Sequence, residues 1–252
     1  MPRPLGQHFL SNSTILERIA RAACPTPVDL VVEIGPGKGA LTQHLLQRAA
    51  RVVAIEIDPI LVHYLAQKFK NEPRLTVINQ DVLKADLGAW GPATIAGNLP
   101  YYITSPILDK VFASGDAWQR AAFLVQKEVA ERITAQPGCR DYGFLSVQTQ
   151  SNAKAKIMFS VGRGAFSPPP KVESAVFSLD RVPPPVDDLP AFLKFASAAF
   201  RHKRKTLRNN LVERYSREQL DGVDIGSMRA EQLSIAELAA IWKRLEENQG
   251  RP

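Results

Sequence analysis

The chain has little cysteine: Cys24 and Cys139 are the only two in 252 residues, and neither belongs to a Cys-x-x-Cys pair or a Cys/His ligand spacing. That excludes a disulfide framework and a structural zinc module, and it fits a reducing cytoplasm. No apolar run approaches the roughly 18 to 20 residues of a membrane span. The N-terminal M-P-R-P-L-G-Q-H-F-L also lacks the apolar core of a signal peptide, so a soluble, unexported protein without membrane partners is expected. Histidine is sparse as well. His8, His44, His63 and His202 show no ligand spacing, and no Ser/His/Asp arrangement stands out, so neither a metal centre nor a hydrolase triad is expected. Internal repeats and long low-complexity stretches are absent.

What the chain has is positive charge. Lysine and arginine number 32 against 25 acids, a formal net charge of +7. Such a balance favours a polyanionic partner, because phosphate contacts release counterions from nucleic acid, although a merely basic surface gives the same number. The 45% hydrophobic content is enough for one large domain and a smaller one.

Short β-rich runs alternate with helical patterns: L-V-V-E-I at 30–34, R-V-V-A-I-E-I at 51–57, R-L-T-V-I-N at 74–79, T-I-A-G-N at 94–98 and A-A-F-L-V-Q at 121–126. Alternation of this kind predicts a doubly wound, mainly parallel sheet. Two further runs, from Lys154 and from Glu173, have no clear helix between them and suit an antiparallel edge. The proline-rich stretch from Arg181 to Pro190 reads as a linker. The expected domains are therefore 1–180, α/β, and 181–252, small and all-α.

Four strand tips carry the chemistry. Gly35, Gly37 and Gly39 lie in V-V-E-I-G-P-G-K-G-A-L-T, where glycines allow close approach to a nucleotide-like ligand and a helix start adds amides. The spacing is G-x-G-x-G, with Ala40 where the dinucleotide fingerprint has its third glycine, which argues against an NAD-dependent oxidoreductase. An ordinary tight turn is the bland alternative. Glu56, at the second tip, suits both hydroxyls of a ribose, or is a solvated acid. Asp81, at the third, suits an adenine amino group with Val82 packed on the ring, or caps a turn. The fourth tip is N-L-P-Y, Asn98 to Tyr101. An adenine amino nitrogen is a poor nucleophile because its lone pair is delocalised into the ring. The Asn98 carboxamide oxygen and the Leu99 carbonyl can accept its two hydrogens and aim that lone pair. Pro100 restricts Leu99, and Tyr101 offers a stacking face for an extruded base. The alternative is a proline turn with a core tyrosine. Ser105 and Pro106 read as the cap and first residue of the next helix.

Together with G-Q-H-F-L at 6–10, L-V-Q-K-E-V-A-E-R at 124–132, F-S-P-P-P-K-V-E-S-A-V at 166–176 and F-R-H-K-R-K-T-L-R-N-N-L at 200–211, these motifs closely resemble the bacterial ribosomal RNA adenine N6,N6-dimethyltransferase family over nearly the whole chain. The resemblance implies a class I methyltransferase fold, Rossmann-like with a mainly parallel seven-stranded sheet, using S-adenosylmethionine. It implies dimethylation of two adjacent adenosines in a hairpin near the 3′ end of 16S rRNA, on an immature 30S subunit, by a monomer. It implies a cofactor site of His8, Leu10, Gly35, Gly37, Glu56, Ile57, Asp81, Val82 and Asn98. The catalytic loop would be Asn98, Leu99, Pro100 and Tyr101, with Phe166 as a second stacking face. His8 and Tyr102 depart from the family, which usually has asparagine at the first and often at the second. A noncatalytic ribosome-assembly factor and a 23S rRNA methyltransferase are the alternatives.

The segment after the linker carries Arg201, Lys203, Arg204, Lys205 and Arg208 with no acid among them. Written on a helix, Arg201, Arg204, Lys205 and Arg208 share one stripe while Phe200, Leu207 and Leu211 pack inward. A solvated face is the usual explanation for such a run; with the RNA substrate implied by the resemblance, phosphate contacts are expected.

Overall fold

The computed structural model describes residues 9–247. In chain order its elements are β1 (Phe9–Leu10), α1 (Ser13–Ala23), β2 (Val28–Ile34), α2 (Ala40–Leu45), β3 (Ala49–Glu56), α3 (Pro59–Lys68), β4 (Leu75–Asn79), β5 (Ala93–Asn98), α4 (Thr104–Ala113), β6 (Trp118–Gln126) and α5 (Lys127–Thr134). They continue with α6 (Phe144–Asn152), β7 (Ala153–Val161), β8 (Phe166–Ser167), β9 (Ser174–Arg181), α7 (Leu189–Ala199), α8 (Leu207–Leu211), α9 (Arg217–Asp221) and α10 (Ile235–Glu247). Seven strands form one sheet in the order β4-β3-β2-β5-β6-β9-β7. The five strands from β4 to β6 are parallel, and β9 runs antiparallel to β6. Leu30 to Ile34 are buried without a break. Because successive strand side chains face opposite ways, such a run has both sheet faces covered, which the Val/Ile-rich sequence supplies.

The chain proceeds outward from β2 on one side and returns to pair β5 on the other. That reversal creates a crevice at the carboxyl ends of β2 and β5. Gly97 lets the two strands approach: a Cβ there would sit 2.6 Å from the Ile34 carbonyl oxygen. Sequence-local signals set the flanking helices. Asn12 accepts from Ile15 N at 3.1 Å to cap α1, and Asp58 accepts from Ile60 N at 2.9 Å to cap α3, with Pro59 opening the helix. After β5 the helix start differs from the expected Ser105. A 3-10 turn over Tyr101–Ile103 leads into α4 at Thr104, leaving Pro106 in the first turn, where it removes no helical hydrogen bond.

Contacts divide the chain into two compact units, one through Ala130 and Ala155–Arg181, the other Glu131–Lys154 and from Val182 on. One divide falls after Arg181, and Glu131–Lys154 groups with the helical unit. The reason is burial: Tyr142 and Val147 belong to the same apolar cluster as Phe192, Phe195, Leu207, Leu211 and Trp242.

Within the helical unit the basic segment differs from the expected stripe. α7 stops at Ala199 and α8 begins at Leu207, so Arg201 to Lys205 lie in a turn-rich loop. Buried Asn210 causes this. Its carboxamide donates to the carbonyls of Ala199 (2.8 Å) and His202 (3.1 Å) and accepts from His202 N (3.2 Å), closing the loop. Leu207 and Leu211 pack inward as expected. Among the described residues no helix is long and apolar enough to cross a membrane.

Candidate active site

The four strand tips meet at one cavity of about 550 Å³, within the roughly 300–1,000 Å³ of small-molecule sites. Leu10, Gly35, Gly37, Glu56, Ile57, Asp81, Val82, Asn98, Leu99, Pro100 and Tyr101 all line it, so residues far apart in sequence converge. His8 lies outside the described residues. Phe166 is only 4% exposed, packs in the apolar core with Leu10, its partner across the β1–β8 pair, and does not line the cavity. Its pairing with Leu10 holds the strand that brings Phe9 and Leu10 to the cavity. The basic residues at 201–208 belong to the helical unit.

Gly35, Gly37 and Gly39 all have positive φ, at 66°, 57° and 74°. Gly39 is doubly constrained, since a Cβ would come within 2.6 Å of the Phe69 ring and 2.8 Å of Leu65. The Glu56 carboxylate, nearly buried, ties this loop to the end of β3. Its Oε2 accepts from Gly37 N at 3.1 Å, and its Oε1 accepts from Ile57 N at 2.9 Å and Asp58 N at 3.0 Å. Oε1 is thereby saturated, while Oε2 retains a lone pair. Asp81 combines a turn cap with a place on the wall: Oδ1 accepts from Leu83 N at 3.0 Å, and the residue still lines the cavity. Leu99 N donates to Leu124 O at 3.0 Å, extending the β5–β6 ladder one step past Asn98 and fixing the loop at its base. The rim includes the side chains of Ile57, Tyr64 and Tyr102, the last 63% exposed. Among the described residues no cluster of His, Cys, Asp or Glu is arranged to hold a metal.

Glu33, in the middle of the apolar run L-V-V-E-I, is a further wall residue, marked in the sequence only as an acid inside an otherwise buried strand. It is fully buried, and Thr42 Oγ1 donates to its Oε2 at 2.6 Å. Burial pushes its pKa from 4.5 to about 7, against the Thr42 hydrogen bond, with a smaller push from the Glu56 charge. Because the folded pKa is the higher one, the folded state holds a proton that the unfolded state loses between pH 4.5 and about 7. Stability should therefore fall as pH rises through that window and level off above it. Glu33→Gln is expected to remove this fall, worth on the order of 3 kcal/mol. Denaturant midpoints of the ligand-free protein from pH 4 to 8 would check this; an equal slope in the variant would contradict it.

The family model for "Ribosomal RNA adenine dimethylase" matches residues 2–247. A Streptococcus pneumoniae protein described as "Ribosomal RNA small subunit methyltransferase A" is 40% identical over 95% of this chain and 90% of its own length. The crystal structure of the 23S rRNA methyltransferase ErmE superposes with a TM-score of 0.74 at 30% identity, covering 94% of this chain and 99% of that one. A dimethyladenosine transferase from Plasmodium falciparum reaches a TM-score of 0.83 at 24% identity, covering 96% and 98%, and supports the fold.

Proposed function

The chain belongs to the ribosomal RNA adenine dimethylase family, and we propose that it dimethylates the N6 amines of two adjacent adenosines in a hairpin near the 3′ end of 16S rRNA. The methyl donor in this reading is S-adenosylmethionine, and the substrate is an immature 30S subunit in the cytoplasm, met by a monomer. The observation that carries it is the convergence on one cavity of a glycine loop, two strand-tip acids and N-L-P-Y.

The residues present fit that donor. A Cβ at Gly35 would meet nothing within 4 Å, so the loop backbone borders open space. Glu56 Oε2 retains a lone pair for a ribose hydroxyl, Asp81 is available to an adenine amino group, and Val82 to the ring. When bound, S-adenosylmethionine supplies an electrophilic methyl carbon beside the sulfonium. The chain's own task is to present the nucleophile. Asn98 Oδ1 and the Leu99 carbonyl accept the two amine hydrogens and favour a pyramidal nitrogen, while Tyr101 stacks on the base. The amine becomes acidic as the new bond forms and loses its proton late, so no strong base is required before attack. After one transfer the amine retains a single N–H, and only one of the two acceptors can still engage it.

The RNA contact narrows within the basic loop. Arg201 pairs with Glu213, Arg208 with Asp221 at 2.7 Å, and Lys203 reaches the Arg140 carbonyl and, at 4.0 Å, Glu231. Arg204 and Lys205 are exposed and have no acidic partner among the described residues. These two are the phosphate contacts in this reading, and the other three help hold the loop. Arg204→Ala/Lys205→Ala should flatten the salt dependence of RNA binding by about two units of slope, about one per lost contact. Arg201→Ala/Arg208→Ala should change it less; equal slopes for both pairs would remove the distinction.

A second substrate reading, 23S rRNA, is favoured by the likeness to ErmE. Mass spectrometry of both rRNAs after incubation of 30S and 50S precursors with protein and donor separates them. Two adjacent dimethyladenosines in 16S rRNA are expected, and modification confined to 23S rRNA would overturn the choice.

A further inference from the structure

We propose that Ser174 is a positioning residue for Tyr101: it anchors the phenol so that the ring face, and not the hydroxyl, is what Tyr101 presents to the target base. The proposal rests on the reading that Tyr101 stacks on that base.

The Tyr101 hydroxyl lies 2.7 Å from Ser174 Oγ, a short hydrogen bond spanning 73 residues of sequence. Ser174 has no solvent exposure and does not line the cavity, whereas half-buried Tyr101 does. A buried hydroxyl is stable only with a partner, and the phenol is one. Ser174 is also held in place by its neighbours. It is the first residue of β9, opposite Gln126 in the antiparallel register. One residue earlier, the Glu173 carbonyl accepts from Lys127 N at 3.0 Å, and the Glu173 carboxylate pairs with Lys127 Nζ at 3.1 Å. The serine is therefore a fixed post.

Tyr101 needs such a post. Its backbone sits in a three-residue 3-10 turn, an element with poor hydrogen-bond geometry of its own. Fixing the phenol restricts rotation of the ring about χ1, so less ordering remains to be done when a base arrives. A hydroxyl held by a fully buried partner is also poorly placed to act as an acid or base at the reacting amine.

A double-mutant cycle tests this, using single-turnover methyl transfer to 30S precursors together with donor affinity and melting temperature. Ser174→Ala and Tyr101→Phe are each expected to slow transfer about tenfold, as loss of one neutral hydrogen bond does. Donor affinity should be unchanged, and the double variant no slower than either single one, because all three lack the same bond. Tyr101→Ala should be slower than any of them. Singles that multiply in the double variant, or either single at the normal rate, would overturn the anchor. If Ser174→Ala does not fold, Tyr101→Phe decides the question alone, since a normal rate there refutes the anchor and a tenfold loss supports it. A crippled Tyr101→Ala beside normal Ser174→Ala refutes only the anchor, while a fully active Tyr101→Ala removes the stacking role and the anchor together.

Discussion

Asn98→Ala is expected to fold, to bind the methyl donor, and to transfer methyl groups about 100- to 1,000-fold more slowly, the usual effect of removing one preorganised polar group from a reacting centre. The backbone should persist because it is held independently of the side chain. Asn98 is the last residue of β5, in register with Leu124, and the next amide, Leu99 N, donates to Leu124 O at 3.0 Å. The change is thus confined to the carboxamide, which in the proposed mechanism takes one hydrogen of the target amine. Single-turnover transfer measured beside donor titration checks it, and a normal rate would defeat the assignment. The same variant separates catalysis from assembly. If cells carrying it mature small subunits as poorly as cells lacking the protein, binding alone contributes little.

Glu56→Gln is expected to weaken donor binding by about 100-fold, equivalent to about 2.7 kcal/mol. Gln keeps the shape, and its one carbonyl oxygen can still accept from Ile57 N and Asp58 N. Its amide nitrogen, however, then faces Gly37 N, where Oε2 now accepts at 3.1 Å. Two donors would oppose each other at the glycine loop. The acceptor intended for a ribose hydroxyl would be lost in the same change, and charge-assisted bonds are the stronger kind. Calorimetric titration gives the affinity, and a lower melting temperature should accompany its loss. Unchanged affinity would mean the donor's ribose is held elsewhere.

Much of the α/β framework is legible in the sequence because its signals are local. Buried parallel strands are written as continuous runs such as Leu30–Ile34, and Asn12 and Asp58 mark helix starts within a few residues. The cavity residues are legible because strand tips of an open sheet share one edge, so position in the strand stands in for position in space. What depends on distant partners is not readable. The β1–β8 pair joins Leu10 to Phe166 across most of the α/β unit, and nothing local to Phe166 marks that partner. Asn210 breaks a helical stripe that periodicity alone favours, because its carboxamide competes for the backbone of residues 8 and 11 positions earlier. Ser174 carries no mark in the sequence of its link to Tyr101. Glu33 does carry one, an acid among valines and isoleucines, and its meaning emerges only with Thr42 beside it.

The most direct test is the structure of the protein with a donor analogue and a 16S rRNA hairpin containing the target adenosines. An extruded adenine is expected against Tyr101, its N6 within hydrogen-bond reach of Asn98 Oδ1 and the Leu99 carbonyl and facing the methyl-bearing position. An adenine seated away from these groups, with N6 turned from the donor, would contradict the proposed mechanism.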